Sequence, residues 1–313
     1  MIQRQERNEC FICHSKDLRL IRVEKNSISD DSRLQLHLQM DSEMFECPQC
    51  QLGIVHNIPA DSSFYAALYD DQGRDVSIDY EFSGKILIFQ QVLEVLRKFQ
   101  KNDLKKRRLL DYGTGTGAFL KAASKYFEVI GIELGPAARN FAVSKGLQVK
   151  ANLSELPQAV RGAFDIVTLI DVLEHMPDPT STAEELISLI GNDGLLFVKV
   201  PNYRAQIFKQ TILNRLGLST AGVMVDYVHI NHFSPKSLRE FMMARNLEVL
   251  AVGFCPPEIW DLQWREAPRS YPYRLLYNFV VRGVSGSLNL LASLTGLALG
   301  LNIYCLAKKK SAK

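Results

Sequence analysis

Arg108-Leu-Leu-Asp-Tyr-Gly-Thr-Gly-Thr-Gly-Ala-Phe-Leu120 joins an apolar, strand-like run to a helical one through three glycines that closely follow a carboxylate. Gly113, Gly115 and Gly117 let the backbone approach a ligand and adopt torsions that a Cβ would forbid. The helix opening near Gly117 presents amide N–H groups that have no intrahelical partner. The join therefore predicts a ligand pocket, and Asp111 decides what enters it.

Two ligands fit the glycine spacing. Gly113-x-Gly115-x-x-Ala118 satisfies the dinucleotide fingerprint with alanine in third place, and Glu133 stands near the distance at which an acid meets a ribose hydroxyl, so a nicotinamide-dependent oxidoreductase is one reading. Asp111 speaks against it, because a carboxylate there would sit beside a doubly negative pyrophosphate that needs the positive end of the helix undisturbed. S-adenosylmethionine carries no phosphate. Its sulfonium and ammonium groups are attracted by an acid a few ångströms away.

Working outward, short apolar runs at 127–132, 147–150, 164–170 and 194–200 alternate with helical spacing at 118–126 and 137–145. That alternation predicts an α/β fold, a doubly wound, mostly parallel sheet covered on both faces. Ligands of such sheets lie beyond the carboxyl ends of the strands. Asp111, Glu133 and Asp171 each end an apolar run, which makes all three candidates for the cofactor site. Glu133 offers two oxygens to two ribose hydroxyls, and Asp111 can serve the methionine ammonium directly or through water. Each could instead cap a helix.

With Val129-Ile-Gly-Ile-Glu133, Phe164-Asp-Ile-Val-Thr-Leu-Ile-Asp-Val-Leu-Glu-His175 and Gly194-Leu-Leu-Phe-Val-Lys-Val-Pro-Asn202 following the glycine loop in order, the chain resembles the class I S-adenosylmethionine-dependent methyltransferases over most of residues 105–255. The resemblance implies a Rossmann-like seven-stranded sheet and S-adenosylmethionine as cofactor. It also puts the adenine near Asn152 and Leu153. Leu247–Phe254 and Leu301–Ala307 correspond to late strands of that family, the last one antiparallel. The methyltransferase domain is then 105–313, with a helical insertion at about 265–300.

Four of the six cysteines form two knuckles, Cys10-Phe-Ile-Cys13 and Cys47-Pro-Gln-Cys50. Paired C-x-x-C knuckles are the pattern of a tetrahedral zinc site, since each turns two soft thiolates toward one ion. Residues 1–60 are expected to form a zinc ribbon, with a hairpin around Leu34–Met40 between the knuckles. His14 and His56 are expected to be bystanders. A ribbon ahead of this core is similar to the arrangement in bacterial methyltransferases that modify nucleotide sugars and polysaccharides, where an aromatic segment follows, here Phe64–Tyr69 with Tyr80. Within a connecting segment, 61–104, residues 84–100 read as an amphipathic helix with Ile86, Phe89, Val92, Leu93, Leu96 and Phe99 on its buried side, closing the cofactor site.

Methyl transfer is an in-line displacement, so the protein positions the acceptor and, where needed, supplies a base. His175 follows the fourth strand of the core, and His229 and His232 precede a helix at 235–245. His229 corresponds to a histidine of the sugar C-methyltransferase motif, but the glutamate before it there is Val228 here, which leaves O-, N- and C-methylation open. His229 and His175 are the expected catalytic residues.

The net charge of +3, from 37 basic and 34 acidic residues, argues for no nucleic-acid partner by itself. The polar opening residues suggest no signal peptide and a cytoplasmic protein. No charge occurs from Gly283 to Ala307, so 272–299 is a candidate for peripheral membrane contact, and a spanning helix is disfavoured by Asn289, Asn302 and several glycines. The sequence thus predicts methyl transfer to a sugar, a polysaccharide precursor or a related small molecule or glycan. An RNA or protein methyltransferase using the ribbon for recognition, an oxidoreductase, and a non-catalytic scaffold are the alternatives.

Overall fold

The computed structural model describes residues 4–28, 39–59, 76, 85–99, 107–160, 162–215, 229–256 and 300–310. In chain order the elements are β1 (Arg4–Glu6), β2 (Arg19–Ile28), β3 (Gln39–Glu46), β4 (Gly53–Val55), β5 (Asn57–Pro59), α1 (Ile86–Phe99), β6 (Arg108–Tyr112), α2 (Ala118–Ala123), β7 (Glu128–Ile132), α3 (Pro136–Ser144), β8 (Val149–Lys150), β9 (Phe164–Ile170), α4 (Pro179–Leu189), β10 (Ile190–Pro201), α5 (Tyr203–Arg215), β11 (Asn231–His232), α6 (Pro235–Ala244), β12 (Leu247–Cys255) and β13 (Asn302–Lys309). A seven-stranded sheet runs β12-β13-β10-β9-β6-β7-β8. Its pairings are parallel from β8 to β10, and β13 is antiparallel to both β10 and β12. This is the Rossmann-like sheet expected from the alternation of runs, with its late strand reversed.

The two faces of the sheet follow from the period of two along each strand. Leu109, Ile166, Leu195 and Phe197 point into one core with Ile88, Val92 and Leu96 of α1 and Phe119 and Leu120 of α2. Their neighbours Leu110, Val167, Leu196 and Val198 point into the other, with Leu186 of α4 and Leu238 and Phe241 of α6. Strands buried on both faces explain why these runs read as continuously apolar. On α1 the buried stripe is Ile88, Phe89, Val92, Leu93, Val95 and Leu96. The expected stripe is corrected at its ends: Ile86 is 51% and Phe99 41% exposed, because Ile86 lies off the arc and Phe99 sits in the last turn.

The N-terminal cysteine segment packs on the second face. Cys10, Cys47, Cys50, Leu52 and Ile54 share a core with Phe233 and Phe241. Its four-stranded sheet, β11-β4-β3-β2, borrows β11 from the body, with Asn231 opposite Ile54 and His232 opposite Gly53. β2 and β3 pair antiparallel, which gives the arms of the expected hairpin; residues 34–38 lie outside the described residues. The aromatic segment 64–69, Tyr80, Val228 and residues 265–299 of the expected insertion also lie outside them. Among the described residues no helix is long and apolar enough to cross a membrane.

A buried lysine interrupts the apolar run of β10. Lys199 of β10 is wholly buried and donates to Asp171 Oδ1, while Lys85, at the entry to α1, donates to Asp171 Oδ2 at 2.6 Å. Burial alone would raise the Asp171 carboxyl, but the Lys199 and Lys85 ammonium groups hold it well below the usual carboxylate range. Asp171→Asn should destabilise the protein by about 3–5 kcal/mol in urea unfolding, because it strands a buried ammonium. Adding Lys199→Met should recover most of that loss; a double variant no more stable than the single one would contradict the account.

Candidate functional site

The glycine loop closes on the neighbouring strand, with Gly113 and Thr114 donating to the Ile132 carbonyl at 2.8 and 3.0 Å. A Cβ on Gly113 would lie 2.5 Å from Val172 and one on Gly117 2.4 Å from Leu147, so both glycines are forced by packing as well as by positive φ. Among the described residues Gly115, at φ +55°, has no atom within 4 Å of such a Cβ.

The three carboxylates lie along one sheet edge, Asp111 near the end of β6, Glu133 just past β7 and Asp171 just past β9. Asp111 is buried and accepts from Thr168 at 2.7 Å. Burial, outweighing that hydrogen bond, pushes its carboxyl up to about 6. Glu133 accepts from the backbone N–H of Gly115 at 2.6 Å and of Gly135 at 2.7 Å, one on each oxygen. It thereby ties the loop tip to the start of α3. Asp171 accepts from Lys199 on one oxygen and from Lys85 on the other. Asn152 caps a short turn, accepting from the Ser154 N–H at 3.1 Å, and Leu153 beside it is buried.

Beyond β9 the chain turns sharply at Asp171, φ +57°, into a single helical turn at Leu173–His175. The His175 and His229 rings lie tilted against each other, with centroids 4.7 Å apart and 38° between planes. Glu174 faces them: it is 2% exposed, and neither of its oxygens has a hydrogen-bond partner among the described residues. Burial and the Asp171 charge push it up to about 7, against the pull of His229. The Ile230 N–H donates to the Glu174 carbonyl at 2.9 Å, and the Asn231 amide donates to the Leu173 and Met176 carbonyls at 3.1 and 2.7 Å. His232 is buried in β11, and burial holds its imidazole well below the ordinary value, hence neutral.

Glu174, Lys199 and Asn231 were not singled out by sequence reasoning. A lysine inside the apolar run Leu195–Val200 is a legible sign of a buried ion pair. Glu174, by contrast, reads as an ordinary surface charge.

The four knuckle cysteines converge, with sulfurs 3.4 Å apart for Cys10–Cys50 and 3.5 Å for Cys13–Cys47, and all four within 4.8 Å of one another. The knuckles match: His14 donates to the Cys10 carbonyl and Gln51 to the Cys47 carbonyl, at 2.9 and 2.8 Å, and both donors have positive φ. The hydrogen bond from Cys50 holds the Cys10 thiol low, at about 5, whereas burial raises Cys13 to about 11. His14 bonds Glu9 and His56 bonds Asn8, so both stand aside from the sulfurs.

A family model described as a methyltransferase domain matches residues 87–252. The chain is similar to the ubiquinone biosynthesis O-methyltransferase of Xanthomonas euvesicatoria pv. vesicatoria, 30% identical over 56% of this chain and 77% of the relative. It is similar also to the protein of that name from Xanthomonas axonopodis pv. citri, 31% identical over 54% of this chain and 74% of the relative. Among solved structures, a SAM-dependent methyltransferase from Archaeoglobus fulgidus aligns with a TM-score of 0.44 and 18% identity, over 74% of this chain and 99% of that one.

The raised Asp111 carboxyl sets a pH dependence. It is neutral below about 6 and ionised above, and a cationic ligand favours the ionised form. Affinity for S-adenosylmethionine, measured by calorimetry, should fall as pH drops below 6, approaching about tenfold per unit. Asp111→Asn should bind weakly at every pH with that dependence gone; a flat profile in the native protein would remove Asp111 from the ligand.

Proposed function

The chain belongs to the methyltransferase-domain family and is an S-adenosylmethionine-dependent methyltransferase, and from this premise we propose that it methylates an oxygen of a hydroxylated small molecule held beyond the carboxyl end of β9. The observation that carries this reading is the close, tilted pair of His175 and His229 with buried Glu174 beside it. Asp111, the glycine loop and Glu133, with Asn152 and Leu153 nearby, are the groups we assign to the methyl donor. Asp171 serves that site from beneath, by fixing the turn that carries His175.

The acceptor oxygen attacks the methyl carbon as the carbon–sulfur bond breaks, and the electron pair returns to sulfur. A hydroxyl is a poor nucleophile until its proton leaves, so the task of the imidazole pair is to make that oxygen anionic near neutral pH. A phenol-like hydroxyl, with an ordinary pKa near ~10 as in tyrosine, is within reach of such a site. Both relatives above are named as O-methyltransferases of ubiquinone biosynthesis, which supports oxygen as the acceptor atom. Neither is named for a sugar, so they lend no support to the sugar or polysaccharide acceptor expected from the ribbon.

We assign one structural zinc ion to Cys10, Cys13, Cys47 and Cys50. Four thiolates fill a tetrahedral shell and leave no open position for chemistry, so such an ion would stabilise the fold. Because β4 pairs with β11, its effect would reach the loop that carries His229.

His229→Ala, and secondarily His175→Ala, should lower turnover on a hydroxylated acceptor by roughly 10²–10⁴ with S-adenosylmethionine affinity little changed. Near-normal turnover in both variants would remove the pair from the reaction. Elemental analysis should find one zinc per chain, and Cys47→Ser should lose it. That variant should also lose hydrogen-exchange protection at 42–59 and at 229–234, with turnover falling and cofactor affinity retained. Full protection at 229–234 without zinc would contradict the coupling.

A further inference from the structure

Arg7 lies ahead of the first cysteine knuckle and outside residues 87–252, the span of the methyltransferase domain, yet its guanidinium ends among residues of that domain. It donates through Nη1 to the Ile230 carbonyl at 3.1 Å and through Nη2 to Asn231 Oδ1 at 2.6 Å. Both acceptor residues are buried. A hydrogen bond from a charged donor is roughly twice as strong as a neutral one, so these two contacts outweigh the ordinary loop bonds around them.

The two acceptors serve the two halves of the histidine pair. Ile230 directly follows His229, and its N–H donates to the Glu174 carbonyl at 2.9 Å. The Asn231 amide nitrogen donates to the Leu173 and Met176 carbonyls at 3.1 and 2.7 Å, on either side of His175 in the chain. Two carbonyls on one side and a guanidinium on the other leave that amide a single orientation. Arg7 is itself fixed to the cysteine module. Its backbone N–H donates to the His56 carbonyl at 3.0 Å, and its guanidinium carbon lies 5.2 Å from the centroid of the Phe11 ring, between Cys10 and Cys13.

We propose that Arg7 is a positioning residue for the His175–His229 pair, setting the spacing and tilt of the two rings through Ile230 and Asn231. Placement of this kind tolerates little error, because a displacement of about 1 Å by a residue far from the chemistry can cost on the order of 10²-fold in rate. The planar fork is what the place requires: one nitrogen serves a backbone carbonyl and another a side-chain amide, and the compact ammonium of lysine cannot reproduce that pair. The hold on the rings stands on this geometry; its effect on turnover rests on the proposed function above.

The test reads the imidazole ring signals of His175 and His229 by NMR, in the full-length, zinc-replete protein with neither methyl donor nor acceptor present. In Arg7→Met the two rings should shift or split into two sets of signals. Turnover should fall roughly 10–10²-fold, with S-adenosylmethionine affinity and the unfolding midpoint little changed. Arg7→Lys should behave like Arg7→Met. Millimolar guanidinium should restore the ring signals and turnover of Arg7→Ala where methylammonium does not, a contrast that a merely structural role would not produce. Native ring signals in Arg7→Met, or equal rescue by the two cations, would overturn the proposal. So would a loss of donor affinity and stability in step with turnover. Because the rings are read without substrate, shifted signals accompanied by normal turnover would instead sink the role of the pair under the proposed function and keep the hold of Arg7 on it.

Discussion

The ion pair between Asp171 and wholly buried Lys199, shared with Lys85, holds three parts of the molecule at one point: the end of β9, the middle of β10 and the entry to α1. A buried lysine is tolerable only with a counter-charge in contact, so the position of Asp171 is dictated by Lys199 as much as by its own strand. Held there, Asp171 adopts a left-handed backbone that acidic residues tolerate better than most. That turn throws the chain back across the sheet edge, and Glu174 and His175 follow from it.

A second constraint then registers the histidines against one another. Asn231 is buried, and its amide reaches two carbonyls of the 173–176 turn while its side-chain oxygen accepts from Arg7. One asparagine thus joins the N-terminal segment, the loop after β9 and the segment before α6. The cysteine module is in this sense built into the body rather than an appendage, for its strand β4 takes β11 as a neighbour and its cysteines share a core with α6.

Much of this was legible in the sequence wherever the governing interaction is local. The glycine loop, the strand runs and the paired knuckles are short patterns whose residue types serve one backbone geometry, and each appears where the pattern put it. The helix at 84–100 was legible in existence and less so in its face, because periodicity alone cannot tell which turns extend past the body. What stayed hidden depends on partners distant in sequence. A two-residue strand such as β11 has no pattern of its own and exists only because β4 is there to pair with it. Glu174 sits between two residues that were picked out, Asp171 and His175, yet nothing in its neighbours betrays that its side chain turns inward. The ribose role expected of Glu133 and the adenine contact expected of Asn152 rested on the edge they occupy; the structure adds that each also holds its own loop in shape.

The strand order has a consequence for how the chain is made. Among the described residues β13 is the last strand in sequence yet an interior one, lying between β10 and β12, which has no other strand neighbour among them. Until residues 302–309 leave the ribosome, neither β10 nor β12 has the β13 pairing that joins them. The cysteine sheet likewise waits for residue 231 before β4 gains its outer partner. A nascent chain can therefore finish neither sheet early, and its closing contacts are among the longest in sequence, the kind that slow folding and lengthen exposure of unpaired edges. Loss of residues 302–309 would remove a strand from the interior of a sheet rather than from its edge.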